Sequence, residues 1–139
     1  MNSPWKLEPG GLPIAFVAHP DYARLCAAKA PLRLDLGGDF GPAGEGHITW
    51  AELKGAKRPD ECVILGAHLD SWDLATGATD NGAGAAAVLE AARLLVKSGA
   101  KPDRGIRFVL FGGEEQGFLG SIAYVKAVPL DGISAVFVM

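Results

Sequence analysis

The later part of the chain alternates between short, nearly continuous apolar runs and segments whose apolar residues recur at helical spacing. Apolar runs of this length are typical of strands that are covered on both faces of a sheet. The predicted order is strand Cys62–Ala67, a helix through residues 85–96, strand Ile106–Phe111, helix Leu119–Val128 and strand Ile133–Met139. This order predicts an α/β fold in which a mostly parallel or mixed sheet is flanked by helices.

Turn-forming residues divide the first 60 residues into shorter elements. Residues 37–46 contain five glycines and Pro42, so we interpret this segment as a loop and as the best candidate for a domain boundary. The other predicted elements are a buried strand at Leu12–Ala18, a short helix opened by Pro20, alternating strands at Leu32–Leu36 and His47–Leu53, and a polar turn at Lys54–Asp60. Because the sequence ends inside an apolar strand, without a turn, we expect it to be a piece of a longer protein.

The composition and charge exclude several classes of protein. Hydrophobic residues make up 49% of the 139 residues and charged residues 21%, which is typical of globular domains and not of disordered chains. The formal charge is −3 and no basic patch is present, so we expect neither a nucleic acid nor a membrane as partner. The longest apolar stretches reach only about half of the roughly 20 residues that a transmembrane helix needs. Cys26 and Cys62 lack metal-binding spacing and are expected to be buried as small hydrophobic residues.

One histidine and several acidic residues follow the predicted buried strands. The first strand leads into His68 and Asp70, the second leads through two glycines into Glu114 and Glu115, and Asp80 lies in the loop before the first long helix. Ligands of open α/β sheets bind beyond the carboxyl ends of the strands, so we expect these five residues to meet at one edge of the sheet. Imidazole and carboxylate groups are ligands that zinc takes in proteins. The sequence therefore predicts a metal site.

Each of these motifs also has a plainer explanation when it is taken alone. Side chains two residues apart on a strand point the same way, so Asp70 could orient the ring of His68, or the two could form a surface pair. Asp80 precedes a helix, where aspartate is a common N-cap. Glu114 and Glu115 could be solvated loop acids, although adjacent carboxylates beside a buried strand are tolerated best near a cation. The convergence of all three motifs favours the metal site.

A glycine pattern at residues 82–87 also fits the dinucleotide-binding fingerprint G-x-G-x-x-G/A. That fingerprint follows its strand directly, so that the pyrophosphate lies at the helix N-terminus. Here about a dozen residues rich in aspartate intervene, and their negative charge would repel phosphate. We therefore do not expect a nucleotide-binding site.

The motifs resemble those of metallopeptidase family twenty-eight, a family of zinc exopeptidases, and they look closest to its carboxypeptidase Q branch. The resemblance rests on VILGAHLDSWDLATGATDNGAGAAAVLEAARLL and RFVLFGGEEQGFLGSIAYV, and it extends from about Thr49 to Met139. It implies that residues 41–139 are the N-terminal part of a zinc-peptidase-like three-layer sandwich that is truncated at its C-terminus. Residues 1–40 resemble, more weakly, the end of a protease-associated insert that precedes the catalytic domain in such proteins.

The resemblance also implies a role for each residue of the predicted site. His68 would bind one zinc ion and Asp70 would orient the imidazole. Asp80 would bridge two zinc ions and precede a cis peptide bond, Glu115 would bind zinc, and Glu114 would be the general base. Water activated by two zinc ions would then hydrolyse a peptide or dipeptide near a chain terminus. The remaining ligands, an aspartate and a later histidine, would lie beyond the end of this sequence, so the fragment alone is expected to be inactive.

Two other functions fit the same fold. A related zinc enzyme cyclises N-terminal glutamine with one metal ion, and a descendant that has lost its metals could act as an interaction domain. The GEEQG run favours hydrolysis over cyclisation, and the presence of every ligand that this segment could contain favours an enzyme. The resemblance implies a secreted or periplasmic location and allows a homodimer.

Overall fold

The computed structural model describes residues 17–33, 35 and 44–139. The described residues fall into two compact units, one within residues 17–44 and the other at residues 45–139. Helix α1 (His19–Ala28) lies in the first unit and has a proline in its first turn, which confirms the helix predicted at Pro20. Most of the predicted strand Leu12–Ala18 falls outside the described residues. The identification of residues 1–40 as the tail of a protease-associated insert stays a prediction.

The alternating pattern at Leu32–Leu36 does not form a strand at the residues that the structure describes. Leu32, Arg33 and Asp35 have no strand conformation and no ladder partner there. Instead, Arg33 Nε donates a hydrogen bond of 3.0 Å to the carboxylate of Asp35, two residues along the chain. An alternating pattern predicts a strand only where a neighbouring strand pairs with it, so this prediction is wrong for the described residues.

A four-stranded sheet organises the second unit. Its strands are β1 (Thr49–Leu53), β2 (Arg58–His68), β3 (Arg104–Phe111) and β4 (Ile133–Val138), and its helices are α2 (Gly84–Lys97) and α3 (Leu119–Ala127). The strand order is β1-β3-β2-β4. β2 is parallel to both β3 and β4, whereas β1 is antiparallel to β3. The sheet is therefore mixed, mostly parallel and flanked by helices, as the sequence predicted.

β1 begins at Thr49 and β3 at Arg104, each two residues from the predicted starts, and the largest difference in the boundaries is at the start of β2. The predicted polar turn Lys54–Asp60 ends early, because β2 already begins at Arg58. The amide of Arg58 donates to the carbonyl of Asp103, and Arg58 pairs with Arg104 ahead of an irregularity in the ladder. The side chains of this first part of β2 are polar and largely exposed, so no apolar run reveals it.

The two faces of the sheet carry separate apolar cores. Residues alternate between the faces along β2 and β3, as the two-residue period of a strand requires. The face under α2 is centred on Ala67, Val88 and Phe108. The opposite face, under α3, contains Cys62, Ile64, Val109, Phe111 and Tyr124. The helices thus cover opposite faces, and Cys62 is a buried small hydrophobic residue as predicted; Cys26 is exposed, so that prediction is wrong for it.

The strand order creates a switch point at the carboxyl end of β2. The chain leaves β2, crosses through α2 to β3 on one side, and then crosses through α3 to β4 on the other side. Crevices at such reversals are where open α/β sheets bind ligands. Among the described helices, none combines the length and the apolar character that a membrane span requires.

A charged cluster on the α3 face connects β1, β3 and α3. Arg107 donates to the carboxylate of Glu52 through Nε at 2.9 Å and to the hydroxyl of Tyr124 at 2.8 Å, and its guanidinium lies 5.1 Å from the ring centroid of Trp50. Lys54 Nζ lies 2.9 Å from the same carboxylate. Burial raises the pKa of Glu52, but the hydrogen bonds from Lys54 and Arg107 outweigh burial and hold that pKa below its usual value.

We expect the substitution Glu52→Gln to lower the free energy of unfolding at pH 7 by about 1.5–3 kcal/mol, since a hydrogen-bonded charge is lost beside Arg107. A carboxyl group whose pKa is lowered by folding stabilises the protein above its unfolded pKa, and this contribution is lost as the pH falls through the folded value. Urea unfolding from pH 7 to pH 3 should therefore show a shallower acid dependence in the variant. The exposed Glu45→Gln is the matched control, and an unchanged pH slope in Glu52→Gln would contradict the interpretation.

A close approach of backbones fixes the start of α3. A methyl group added at Gly120 would collide with the carbonyl oxygen and amide nitrogen of Gly112, just after β3. We expect Gly120→Ala to lower the free energy of unfolding by about 1–3 kcal/mol, because the obstacle is backbone and cannot rotate away. Gly46→Ala, where an added methyl group meets nothing within 4 Å, is the control in the same urea titration. Equal stabilities of the two variants would show that α3 can shift freely.

Candidate metal centre

His68 is the last residue of β2, and only 11% of its side chain is exposed. Its Nδ1 atom lies 3.0 Å from the backbone carbonyl oxygen of Asp70. A proton on Nδ1 is donated to this carbonyl, which leaves the lone pair of Nε2 free to bind a metal ion. Nε2 faces Asp80, with its Oδ1 at 3.0 Å, and Glu114, with its Oε2 at 3.9 Å.

Asp80 reaches His68 from the irregular turn Ala78–Ala83, which precedes α2. The peptide bond between Asp80 and Asn81 is cis, as the resemblance implied. Ser71 Oγ donates to the carbonyl of Asp80 at 2.7 Å and so ties the two ends of the loop together. The Asp80 side chain is 71% exposed, so one of its oxygens meets His68 while the carboxylate stays accessible to a ligand.

The alternative of Asp80 as a helix cap is not what the described structure shows. The turn's N-cap residue makes no side-chain cap hydrogen bond, and the amide of Gly84 instead donates a hydrogen bond of 3.2 Å to the side-chain oxygen of Asn81. Asn81 is buried, and its Nδ2 donates to the carbonyl of Met139 at 2.6 Å. The sequence analysis missed this residue, although asparagine at a helix start is a common capping signal.

Glu115 supplies a third ligand position. One atom each of His68, Asp80 and Glu115 lies within 4.8 Å of the other two. Glu115 Oε1 is buried without a hydrogen-bond partner among the described residues. Burial, followed by the negative charges of Asp80 and Glu114, raises the pKa of Glu115. An orphaned carboxylate oxygen beside an imidazole and a second carboxylate is a donor set that fits zinc.

The side chain of Asp70 lies differently from the expectation. Its Oδ1 is 3.7 Å from His68 Nδ1, too far for a hydrogen bond, and the contact to the ring is made by the backbone carbonyl. The two carboxylate oxygens accept hydrogen bonds of 3.0 Å each from the amides of Glu114 and Glu115. Burial raises the pKa of Asp70, but these amides outweigh burial and hold that pKa below its usual value.

A cleft of about 520 Å³ opens beside these residues. His68, Asp80 and Glu114 lie at its polar end, and the rest of its lining is mainly apolar. The apolar part comes from β2, β4, α3 and the segments next to them, and includes Ile64, Phe118, Val125, Leu130, Val136 and Val138. Three of the five predicted site residues, His68, Asp80 and Glu114, thus line a cavity on the α3 face of the sheet.

Comparison with known proteins places this arrangement in a family. The sequence profile of Peptidase family M28 matches residues 49–139. Carboxypeptidase Q from Xenopus laevis is 42% identical over 98 residues, which are 70% of this chain and 21% of the relative. Aminopeptidase YwaD from Bacillus subtilis (strain 168) is 36% identical over 115 residues, which are 83% of this chain and 24% of the relative.

A solved structure shows the same fold. A zinc aminopeptidase from Bacillus subtilis superposes with a TM-score of 0.59 at 34% identity, over 65% of this chain and 23% of that one. The chain spans about a fifth of the length of the curated relatives that it matches. Because the family profile covers most of the chain, and includes all five residues of the site, the chain belongs to Peptidase family M28.

Proposed function

We propose that these residues form part of the active site of a zinc-dependent exopeptidase, which hydrolyses peptides next to a chain terminus. The observation that carries the proposal is that His68, Asp80 and Glu115 each have a ligand atom within 4.8 Å of the other two. One of these residues, Glu115, has a buried carboxylate oxygen without a hydrogen-bond partner among the described residues. The zinc aminopeptidase from Bacillus subtilis supports zinc as the metal ion. Zinc bound there would polarise the substrate carbonyl and lower the pKa of a bound water.

Two zinc ions fit the geometry around Asp80 better than one. The carboxylate of Asp80 has one oxygen next to His68 and is otherwise largely exposed, so its two oxygens can each face a different ion. Three protein ligands are too few for two ions that each take about four ligands. We propose that further ligands come from residues outside this 139-residue chain, and that the chain alone does not hydrolyse peptides.

Glu114 is the general base in this proposal. Its carboxylate lies 3.9 Å from His68 Nε2 and lines the cleft where a substrate would enter. Glu114 takes a proton from the attacking water while the water oxygen bonds to the carbonyl carbon of the substrate. It then gives that proton to the leaving amine nitrogen as the carbon–nitrogen bond breaks. Neighbouring Glu115 is the better ligand because its oxygen is buried among the other ligand atoms.

Substrates are peptides with a free end. The relatives differ in which end their names indicate, since one is a carboxypeptidase and the other an aminopeptidase. Peptides that are blocked at one end, or at both, distinguish carboxypeptidase activity from aminopeptidase activity in the complete protein. If a peptide blocked at both ends is hydrolysed as fast as the same peptide with free ends, the protein is an endopeptidase and the proposal is contradicted.

We expect His68→Ala to remove bound zinc from the complete protein, because Nε2 is the nitrogen ligand that the described site offers. Zinc per chain is measured by elemental analysis after dialysis. His47→Ala is the matched control, since His47 lies just before β1 and outside the ligand cluster. Equal zinc content in the wild type and both variants would disprove the ligand assignment.

Glu114→Gln should keep zinc and lose hydrolysis by about 100-fold to 10,000-fold, which is the range that a positioned general base contributes. Zinc content and the kcat of the complete protein are measured on the same samples. Loss of zinc in Glu114→Gln, with zinc retained in Glu115→Gln, would show that the roles of the two glutamates are reversed.

A further inference from the structure

Asp70 contacts both halves of the proposed site, and it does so with different atoms. Its backbone carbonyl oxygen meets Nδ1 of His68 at 3.0 Å. Its side chain points to the loop after β3, where the two carboxylate oxygens accept hydrogen bonds from the amides of Glu114 and Glu115, at 3.0 Å each. The histidine is therefore oriented by backbone, and the carboxylate is committed to the backbone of the two glutamates.

The loop that carries these glutamates needs such support. Gly113 before them and Gly117 after them both have positive φ, and Phe118 adopts the left-handed conformation at the start of α3. Adjacent carboxylates also repel each other, which favours conformations that move them apart. A carboxylate that accepts from two consecutive amides makes two charge-assisted hydrogen bonds and limits the rotation of both residues.

We propose that Asp70 is a positioning residue whose carboxylate holds the amides of Glu114 and Glu115, while its hydrogen bond to His68 comes from its backbone carbonyl. The proposal deepens the proposed function, because it concerns how the general base and the third ligand of that site are held. It predicts that a change of the Asp70 side chain disturbs the glutamates and leaves the tautomer of His68 intact.

Asp70→Asn and Asp70→Ala form a graded test. Asparagine keeps one acceptor oxygen and places an NH₂ group against the other amide, whereas alanine removes both acceptors. Amide hydrogen exchange in the complete protein, resolved to single residues by fragmentation in a mass spectrometer, should accelerate about 10-fold or more at one of the two glutamates in Asp70→Asn. In Asp70→Ala it should accelerate at both. Asp73→Asn, an exposed aspartate in the same loop, is the matched control.

A second readout separates positioning from a general structural effect. In protein labelled with ¹⁵N-histidine, the ring nitrogens of His68 should keep the wild-type pattern in Asp70→Asn without zinc, because the carbonyl partner is unchanged. Zinc affinity should fall about 10-fold in the same variant, since Glu115 is less well held. A changed tautomer with unchanged glutamate amides would show that the side chain acts on His68 instead, and would overturn the proposal.

The outcomes also separate this inference from the proposed function. If the wild type binds no zinc, the proposed function fails, while the exchange rates still report the hydrogen bonds of Asp70. If zinc binds normally and Asp70→Asn exchanges as the wild type does, the inference fails alone. If a variant unfolds, the amides of Val88 and Val109 will lose their protection from hydrogen exchange. The exchange rates of Glu114 and Glu115 in the wild type then decide the test. Unprotected amides at Glu114 and Glu115 in the wild type would overturn the inference.

Discussion

The parallel pairing of β2 with β3 is the constraint on which the site depends. In this register His68 lies opposite Phe111, so both strands reach the edge of the sheet at the same level. The ladder continues for one step beyond the strands, where the amide of Leu69 donates to the carbonyl of Phe111 at 2.7 Å. The two loops therefore leave the sheet side by side, and Asp70 meets the amides that follow Gly113. A register shift of one residue would place His68 on the other face, away from the glutamates.

The second constraint is electrostatic. The site gathers several carboxylates around one imidazole, although burial raises the pKa of Glu115 and acts in the same direction on the pKa of Asp70. The surroundings of these carboxylates differ. The carboxylate of Asp70 accepts hydrogen bonds from two amides, that of Asp80 is largely exposed, and Glu115 Oε1 is buried without a hydrogen-bond partner among the described residues. Among the described residues, Glu115 Oε1 is thus the buried side-chain oxygen without a partner, and a cation is the partner that the other donor atoms could share with it.

Much of this arrangement follows from sequence patterns, because strand ends are visible as the points where apolar runs stop. The runs at β2 and β3 place His68 and Glu114 at the same edge once the strands are parallel neighbours. What the pattern does not show is loop geometry. Asp70 lies beyond the last residue of β2, so strand alternation no longer governs its side chain, and its carboxylate turns to the glutamate amides. The start of β2 at Arg58 could not be predicted either. Arg58 pairs with Arg104 through the backbone, but the side chains around it follow no apolar pattern that would indicate a strand.

Charge is a further argument for the two zinc ions that we propose at this site. The carboxylate of Asp70 already accepts hydrogen bonds from two amides, which leaves the three carboxylates of Asp80, Glu114 and Glu115 to be neutralised. One divalent cation among them would leave one net negative charge, and this would oppose the negative charge that develops on a substrate carbonyl oxygen during attack. A second divalent cation would offset this residual negative charge and that of any carboxylate among the ligands that we propose outside this chain. The Asp80 carboxylate is largely exposed and lines the cleft, so it would be accessible to such a cation.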